Sequence, residues 1–229
     1  MDERVACIPT DKVFTFGYFE GLKPLPDAQL DSDSICFRPR TEVENDPSYK
    51  QLIPYVLLHK GLIDGNPTGS VFLSYLRGDG QGESRLHALR SIGVGGHINE
   101  GDCVGTDPAA MVATAALREL TEEVSLDRVR APEELMHGGP AMHMTTELLL
   151  AGLLNDDSNA VGKVHLGMVF IMDATNLLVE PNEKAMLDFK WMTMNELMVA
   201  RAEYESWSQL CIDGITGDAT TPAISLFDR

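Results

Sequence analysis

Apolar residues gather in short runs along this chain, separated by stretches rich in Asp, Ser, Gly and Pro. Val5 to Ile8 and Val13 to Phe16 have the length and composition of short strands, divided by a turn at Pro9-Thr-Asp. A loop is expected from about Lys23 to Ser48. Tyr49 to Leu58 (YKQLIPYVLL) and Val71 to Leu76 (VFLSYL) are β-prone, and the Gly61 to Gly69 region between them predicts a hairpin. Ser91 to Ile98 (SIGVGGHI) is Gly-rich, as a strand end must be where backbone approaches a ligand or another segment closely. Asp107-Pro108 is a good N-cap followed by Pro at the first helical position, so a helix is expected from there to about Val124. Its apolar face reads as Ala113, Leu117, Leu120 and Val124. An apolar segment from Glu147 to Leu154, a turn at Asn155-Asp-Asp-Ser-Asn and a strong strand from Val164 to Met172 follow. A last strand around Phe189 to Met192 leads into a helix near Met194 or Asn195.

The chain shows no internal repeat, heptad array or clean linker, so residues 1–229 read as a single mixed α+β domain. Within it, the N-terminal strands and loop (1–48) form an extension. The longest apolar runs are too short to span a bilayer, and no signal-like segment opens the chain. Cys7, Cys36, Cys103 and Cys211 lie far apart in sequence without C-x2-C spacing. That argues against a zinc site or a disulfide framework and for reduced thiols in a cytoplasmic protein. A formal net charge of −17 disfavours duplex nucleic acid as a partner. Small phosphorylated substrates stay open, because divalent cations reverse the sign of the field within one cleft. A homodimer is compatible with all of this.

The chemistry concentrates in Arg118-Glu-Leu-Thr-Glu-Glu-Val. Glu119, Glu122 and Glu123 stand at i, i+3 and i+4, on one helix face with Cβ atoms about 5–6 Å apart. Three like charges so close repel unless a cation sits among them. Mg²⁺ or Mn²⁺ suits such oxygen donors and leaves positions for phosphate and water. Arg118 is the fixed cation at hand, able to pair with Glu122 or orient Glu119 through its fork of donors. A solvated acidic helix face is the bland alternative, and from these residues alone it is equally good.

The loop Gly95-Gly96-His97-Ile98-Asn99-Glu100-Gly101-Asp102 upstream shifts that balance. Together with the helix it resembles the Nudix box, G-x5-E-x7-R-E-U-x-E-E-x-G-U, where U is a bulky aliphatic residue. Gly96 matches the opening glycine, Arg118 to Glu123 match the R-E-U-x-E-E core without a gap, and Leu126 matches the closing aliphatic position. The resemblance implies an α/β/α sandwich with a mixed central sheet, and a loop–helix–loop that binds Mg²⁺ or Mn²⁺. The implied ligands are Glu119, Glu122, Glu123 and the Gly96 carbonyl. The implied reaction is hydrolysis of a diphosphate linkage, such as a nucleoside diphosphate joined to another group.

Three departures stand out. Asp102 replaces the first glutamate, which leaves it a metal ligand only through water. Fifteen residues, Cys103 to Leu117, separate it from Arg118 where the box has seven, an insertion of eight. Ser125 replaces the late glycine, so a left-handed turn at the helix end is less easy. Val71 to Arg77 and Phe189 to Leu197 are similar to flanking strands of the family. The stretches KQLIPYVLL, SIGVGGHIN, VGKVHLGMVF and YESWSQL look like a bacterial Nudix-like group loosely labelled phosphoesterases.

Glu119 or Glu122 is the expected general base, with Glu183 a distal alternative and Arg118 the organiser of the carboxylates. Arg77, His97 and Lys50 are the candidate phosphate contacts, though a surface ion pair suits any one of Arg77, Arg90 or Lys50 as well. His165 reads as a satisfied core histidine, Glu180 as a loop carboxylate, Trp191 and Trp207 as core. Two rival functions share the fold. One is a non-catalytic ligand-sensing module. The other is an isoprenoid diphosphate isomerase, for which Cys103 is present but the cysteine-centred motif expected upstream is not.

Overall fold

The computed structural model describes residues 2–24, 30–61, 69–78, 89–103, 105–128, 148–182 and 186–216. Strands β1 (Arg4–Pro9), β2 (Gly21–Pro24), β3 (Cys36–Pro39), β4 (Tyr49–Lys60), β5 (Val71–Arg77), β6 (Arg90–Ser91) and β7 (Gly93–Gly95) precede the long helix. After it come β8 (Val124–Arg128), β9 (Leu148–Asn155), β10 (His165–Asp173), β11 (Leu177–Pro181) and β12 (Met186–Thr193). The helices are α1 (Thr10–Val13), α2 (Arg40–Val43), the long α3 (Pro108–Glu123), α4 (Met194–Val199) and α5 (Ser206–Thr216).

The main sheet runs β12-β5-β4-β10-β9-β2, with β1 and β7 also on β4, β3 on β1 and β6 on β5. Its centre is a parallel pair, β4 with β10, from Gln51 beside His165 to His59 beside Asp173. The other pairings within this sheet are antiparallel. A central strand covered on both faces must be apolar at consecutive positions, and β4 is. Leu52, Val56 and Leu58 join the core beneath α3, with Ala115, Ala116 and Leu120 of the helix. Tyr55 and Leu57 join the opposite core, with Leu197 of α4 and Cys211, Ile212 and Ile215 of α5. The expected sandwich is therefore present, with α3 over one face of a mixed sheet and α4 and α5 over the other.

The hairpin expected between β4 and β5 forms only at its base, His59 beside Phe72 and Lys60 beside Val71. Beyond that, β7 takes over the β4 edge opposite Tyr55 to Leu57. The glycines make this substitution work. A Cβ on Gly93 would lie 2.1 Å from the Tyr55 ring, and one on Gly95 would lie 1.9 Å from the Pro54 carbonyl oxygen.

Three expectations need correction. Val13 to Phe16 is not a strand: α1 and a turn occupy it, and Val13, Phe14 and Phe16 pack with Phe19 into the core. Two apolar residues around a spacer fit a strand or a folded-in aromatic cluster equally well, and packing chose the cluster. The Lys23 to Ser48 loop holds β3 and α2, since β3 pairs antiparallel with β1 from Arg4 opposite Pro39 to Cys7 opposite Cys36. Short, polar, Pro-flanked edge strands carry little periodic signal. The same pairing brings two cysteines together that the sequence had set apart, with Sγ atoms 3.7 Å from each other.

The third correction concerns α3. Its buried residues are Met111, Val112, Ala115, Ala116 and Leu120, whereas Leu117 is 44% exposed. At about 100° per residue, Glu119 falls in the middle of that buried arc. The helix is rotated so that the glutamate, not Leu117, faces inward. No helix among the described residues is long and apolar enough to cross a membrane.

Candidate active site

The site is built where the loop after β7 meets the inner face of α3. Asp107 caps the helix by accepting from the Ala109 N–H at 3.0 Å. Pro108 to Leu117 are helical, so much of the eight-residue insertion extends α3 rather than enlarging the loop. At its other end α3 passes directly into β8. Val124 is extended (φ −134, ψ 144), so no left-handed residue is needed and Ser125 replaces the expected glycine without strain. Asn182 donates through its backbone and side chain to the Glu123 and Thr121 carbonyls, closing the helix end.

Arg118 is the hub. Its Nε and Nη2 donate to the two oxygens of Asp102 at 2.8 and 2.9 Å, and Nη2 also donates to the His97 carbonyl at 2.9 Å. Its Nη1 donates to Glu119 Oε1 at 2.7 Å and lies 3.5 Å from both Glu122 oxygens. Asp102 also accepts the Asn99 N–H at 2.8 Å, and its side chain is 3% exposed. Burial pushes the Asp102 carboxyl up, but hydrogen bonds from Arg118 and Asn99 outweigh it and leave it below the usual carboxylate value. Both Asp102 oxygens accept from the guanidinium, so this residue anchors Arg118.

Glu119 has the opposite environment. Its side chain is 14% exposed, and burial raises its pKa despite Arg118 alongside, with Glu122 and Asp102 adding to the rise. A Cβ on Gly96 would lie 2.4 Å from Glu119 Oε2, so the carboxylate rests directly against that backbone in a gap only glycine leaves. Glu122 and Glu123 lie on the same side of α3, with the Glu122 side chain 55% exposed. Among the described residues no three His, Cys, Asp or Glu side chains already converge as a cage. The donor chemistry nonetheless fits a hard divalent ion: a desolvated carboxylate, two further glutamates within a helical turn and the Gly96 peptide are oxygen donors.

The remaining candidates separate. Arg77 is mostly buried, with Nη1 3.5 Å from Glu205 Oε2, and its Nε has no partner among the described residues. Glu205, which no sequence signal singled out, also accepts from Tyr55 and Ser91 at 2.9 and 2.6 Å. Lys50 is buried, and its ammonium donates to Asp157 at 2.7 Å and to the Gly162 carbonyl at 3.0 Å. The His97 ring stacks edge-on against His165, with Nε2 atoms 3.3 Å apart. Burial, then Arg40 and His165, push its pKa down to about 3. His165 is the satisfied core histidine expected, its Nδ1 2.7 Å from the Val161 carbonyl. Arg90 is buried and paired with Asp188. Glu180 lies in β11 opposite Ser125. Glu183 lies outside the described residues.

No family model matches the sequence. Protein YmaB of Bacillus subtilis (strain 168) is 34% identical over 224 residues, 93% of this chain and 97% of that protein. The crystal structure of Tm1382, described as a Nudix hydrolase by assignment, superposes with a TM-score of 0.66 at 26% identity, covering 92% of this chain and 96% of that one. A Nudix hydrolase from Alicyclobacillus acidocaldarius gives a TM-score of 0.47 at 16% identity, covering 77% of this chain and 98% of its own. With the Arg118 to Glu123 core unbroken on α3, Glu119 turned inward, and a match to Tm1382 along nearly its whole length, the chain belongs by its structure to the Nudix family.

Proposed function

We propose that this protein hydrolyses a diphosphate bond in a small phosphorylated molecule, with Mg²⁺ or Mn²⁺ held by Glu119, Glu122, Glu123 and the Gly96 carbonyl. A nucleoside diphosphate linked to another group is the substrate class favoured. The observation that carries the reading is the Glu119 carboxylate, desolvated against Gly96 and fixed by an arginine that Asp102 and the His97 carbonyl hold in turn. When bound, the divalent ion neutralises phosphate charge and makes water more acidic. Arg118 keeps the carboxylates in register. Glu122, exposed and only weakly engaged by Arg118, takes the proton from the attacking water, with Glu183 as the distal alternative. Arg77 is the candidate phosphate contact through the exposed part of its guanidinium, while Glu205 holds its Nη1 from the protein side. Lys50 and His97 are assigned to the scaffold, because their side chains are already engaged by Asp157 and His165.

The test is a panel of nucleotide sugars, dinucleotides, oxidised nucleotides and non-nucleotide diphosphates, incubated with Mn²⁺ and followed by phosphate or nucleotide release. Turnover should appear with at least one compound and vanish in Glu119→Gln. Calorimetric titration with Mn²⁺ should show a site that Glu122→Gln weakens. Tight binding of a panel member without turnover would point instead to a ligand-sensing module.

A further inference from the structure

The Cys7–Cys36 pair lies outside the site just described. The two residues sit directly opposite each other on antiparallel neighbours, 29 positions apart in sequence, with Sγ atoms 3.7 Å apart. Directly opposed residues on paired strands bring their Cβ atoms to about 4.5–5.5 Å, close to the separation a disulfide spans. Side-chain rotation together with an approach of the two strands by about 1 Å brings the sulfurs to bonding distance. Access is asymmetric: Cys7 is buried and Cys36 partly exposed. Burial, then the neighbouring Cys36, push the Cys7 thiol up to about 12, so Cys7 is poorly suited to open the reaction. Arg38, two residues along β3 from Cys36 and stacked over Tyr49 with 4.6 Å to the ring centroid, places a fixed positive charge near the sulfurs.

We propose that Cys7 and Cys36 form a thiol–disulfide exchange site that accepts a small organic disulfide, Cys36 attacking first and Cys7 resolving. The Cys36 thiolate displaces one sulfur of the small disulfide, giving a mixed disulfide on Cys36 and one free small thiol. Cys7 then attacks Cys36 Sγ, its proton passing to the departing sulfur as the second small thiol is expelled. Two protein thiols are oxidised and one small disulfide is reduced to two thiols. The product ties β1 to β3. The Ala6 N–H on β1 donates to the Ile98 carbonyl at 2.8 Å, and Arg4 pairs with Glu100 at 2.7 Å, so the clasp secures the ladder that supports the Gly96 to Asp102 loop.

The test treats the native full-length protein, in a Cys103→Ser background, with oxidised glutathione, followed by intact mass and peptide mapping. The expected product has lost the mass of two hydrogen atoms, carries a Cys7–Cys36 crosslink, melts higher and returns to its starting state with dithiothreitol. Cys7→Ser should halt at a stable glutathione adduct on Cys36, and Cys36→Ser should leave Cys7 unmodified. If either variant fails to fold, the map of the parent protein decides alone. Two free thiols after treatment, or an unresolved adduct on Cys36 in the parent, would overturn the proposal.

Discussion

Replacing Asp102 tests the clamp that holds α3 against the loop after β7. Its carboxylate is 3% exposed and accepts three hydrogen bonds, from Arg118 Nε, Arg118 Nη2 and the Asn99 N–H. Removing one member of a fully buried ion pair costs about 3–5 kcal/mol, because the other charge is left unpaired. Arg118 is 29% exposed and can recover part of its hydration. Asp102→Ala should therefore destabilise by somewhat less, about 2–3 kcal/mol. For a chain of this size that is a fall in Tm of about 4–12 °C. Asp102→Asn keeps the shape and an acceptor for Asn99 but sets an amide N–H2 against the Arg118 Nε–H, and should cost about as much.

The pH dependence has a definite sign. Asp102 has a lowered folded pKa, so its stabilisation is complete above the unfolded carboxylate value of about 3.9 and is lost as pH falls toward the lower folded value. The gap in stability between wild type and Asp102→Asn should thus be constant from neutral pH to about 5 and narrow below 4. Urea unfolding across that range measures it, and Mn²⁺ titration of the same variants reads whether Glu119 has moved. A stable Asp102→Ala protein with unaltered Mn²⁺ affinity would refute the idea that Asp102 sets Arg118 and, through it, Glu119.

Gly96→Ala should weaken Mn²⁺ binding by about 10–100-fold in calorimetry, since the added methyl displaces the Glu119 carboxylate on which it would fall. Glu119→Gln should abolish turnover yet shift stability by no more than about 1 kcal/mol, because relief of a buried charge offsets one weakened hydrogen bond to Arg118. Thermal melting and the substrate panel together check that split. Lys50→Met should cost about 2–4 kcal/mol in urea unfolding by stranding Asp157, while leaving KM unchanged. A raised KM with unaltered stability would make Lys50 a phosphate contact after all.

Local chemistry sufficed for much of this protein. Asp107-Pro108 marked the start of α3, and Glu119, Glu122 and Glu123 could be placed on one face because helical spacing is a property of the backbone alone. The apolar run of β4 announced a strand, and Thr193 with Glu196 formed the capped helix start expected after the last strand. Tertiary structure decided the rest. Spacing alone could not show which side of α3 faces the sheet, because Leu117 and Ala116 are both acceptable core residues; the ring of contacts around Glu119 settled the rotation. Asp102 reads from sequence as a displaced metal ligand, and only the approach of Arg118 across fifteen intervening residues turns it into an anchor. Lys50 found Asp157, Arg77 found Glu205, and Cys7 found Cys36 by strand pairing and packing between segments distant in sequence. Those partnerships depend on register and chain crossing, which no local pattern of residues encodes.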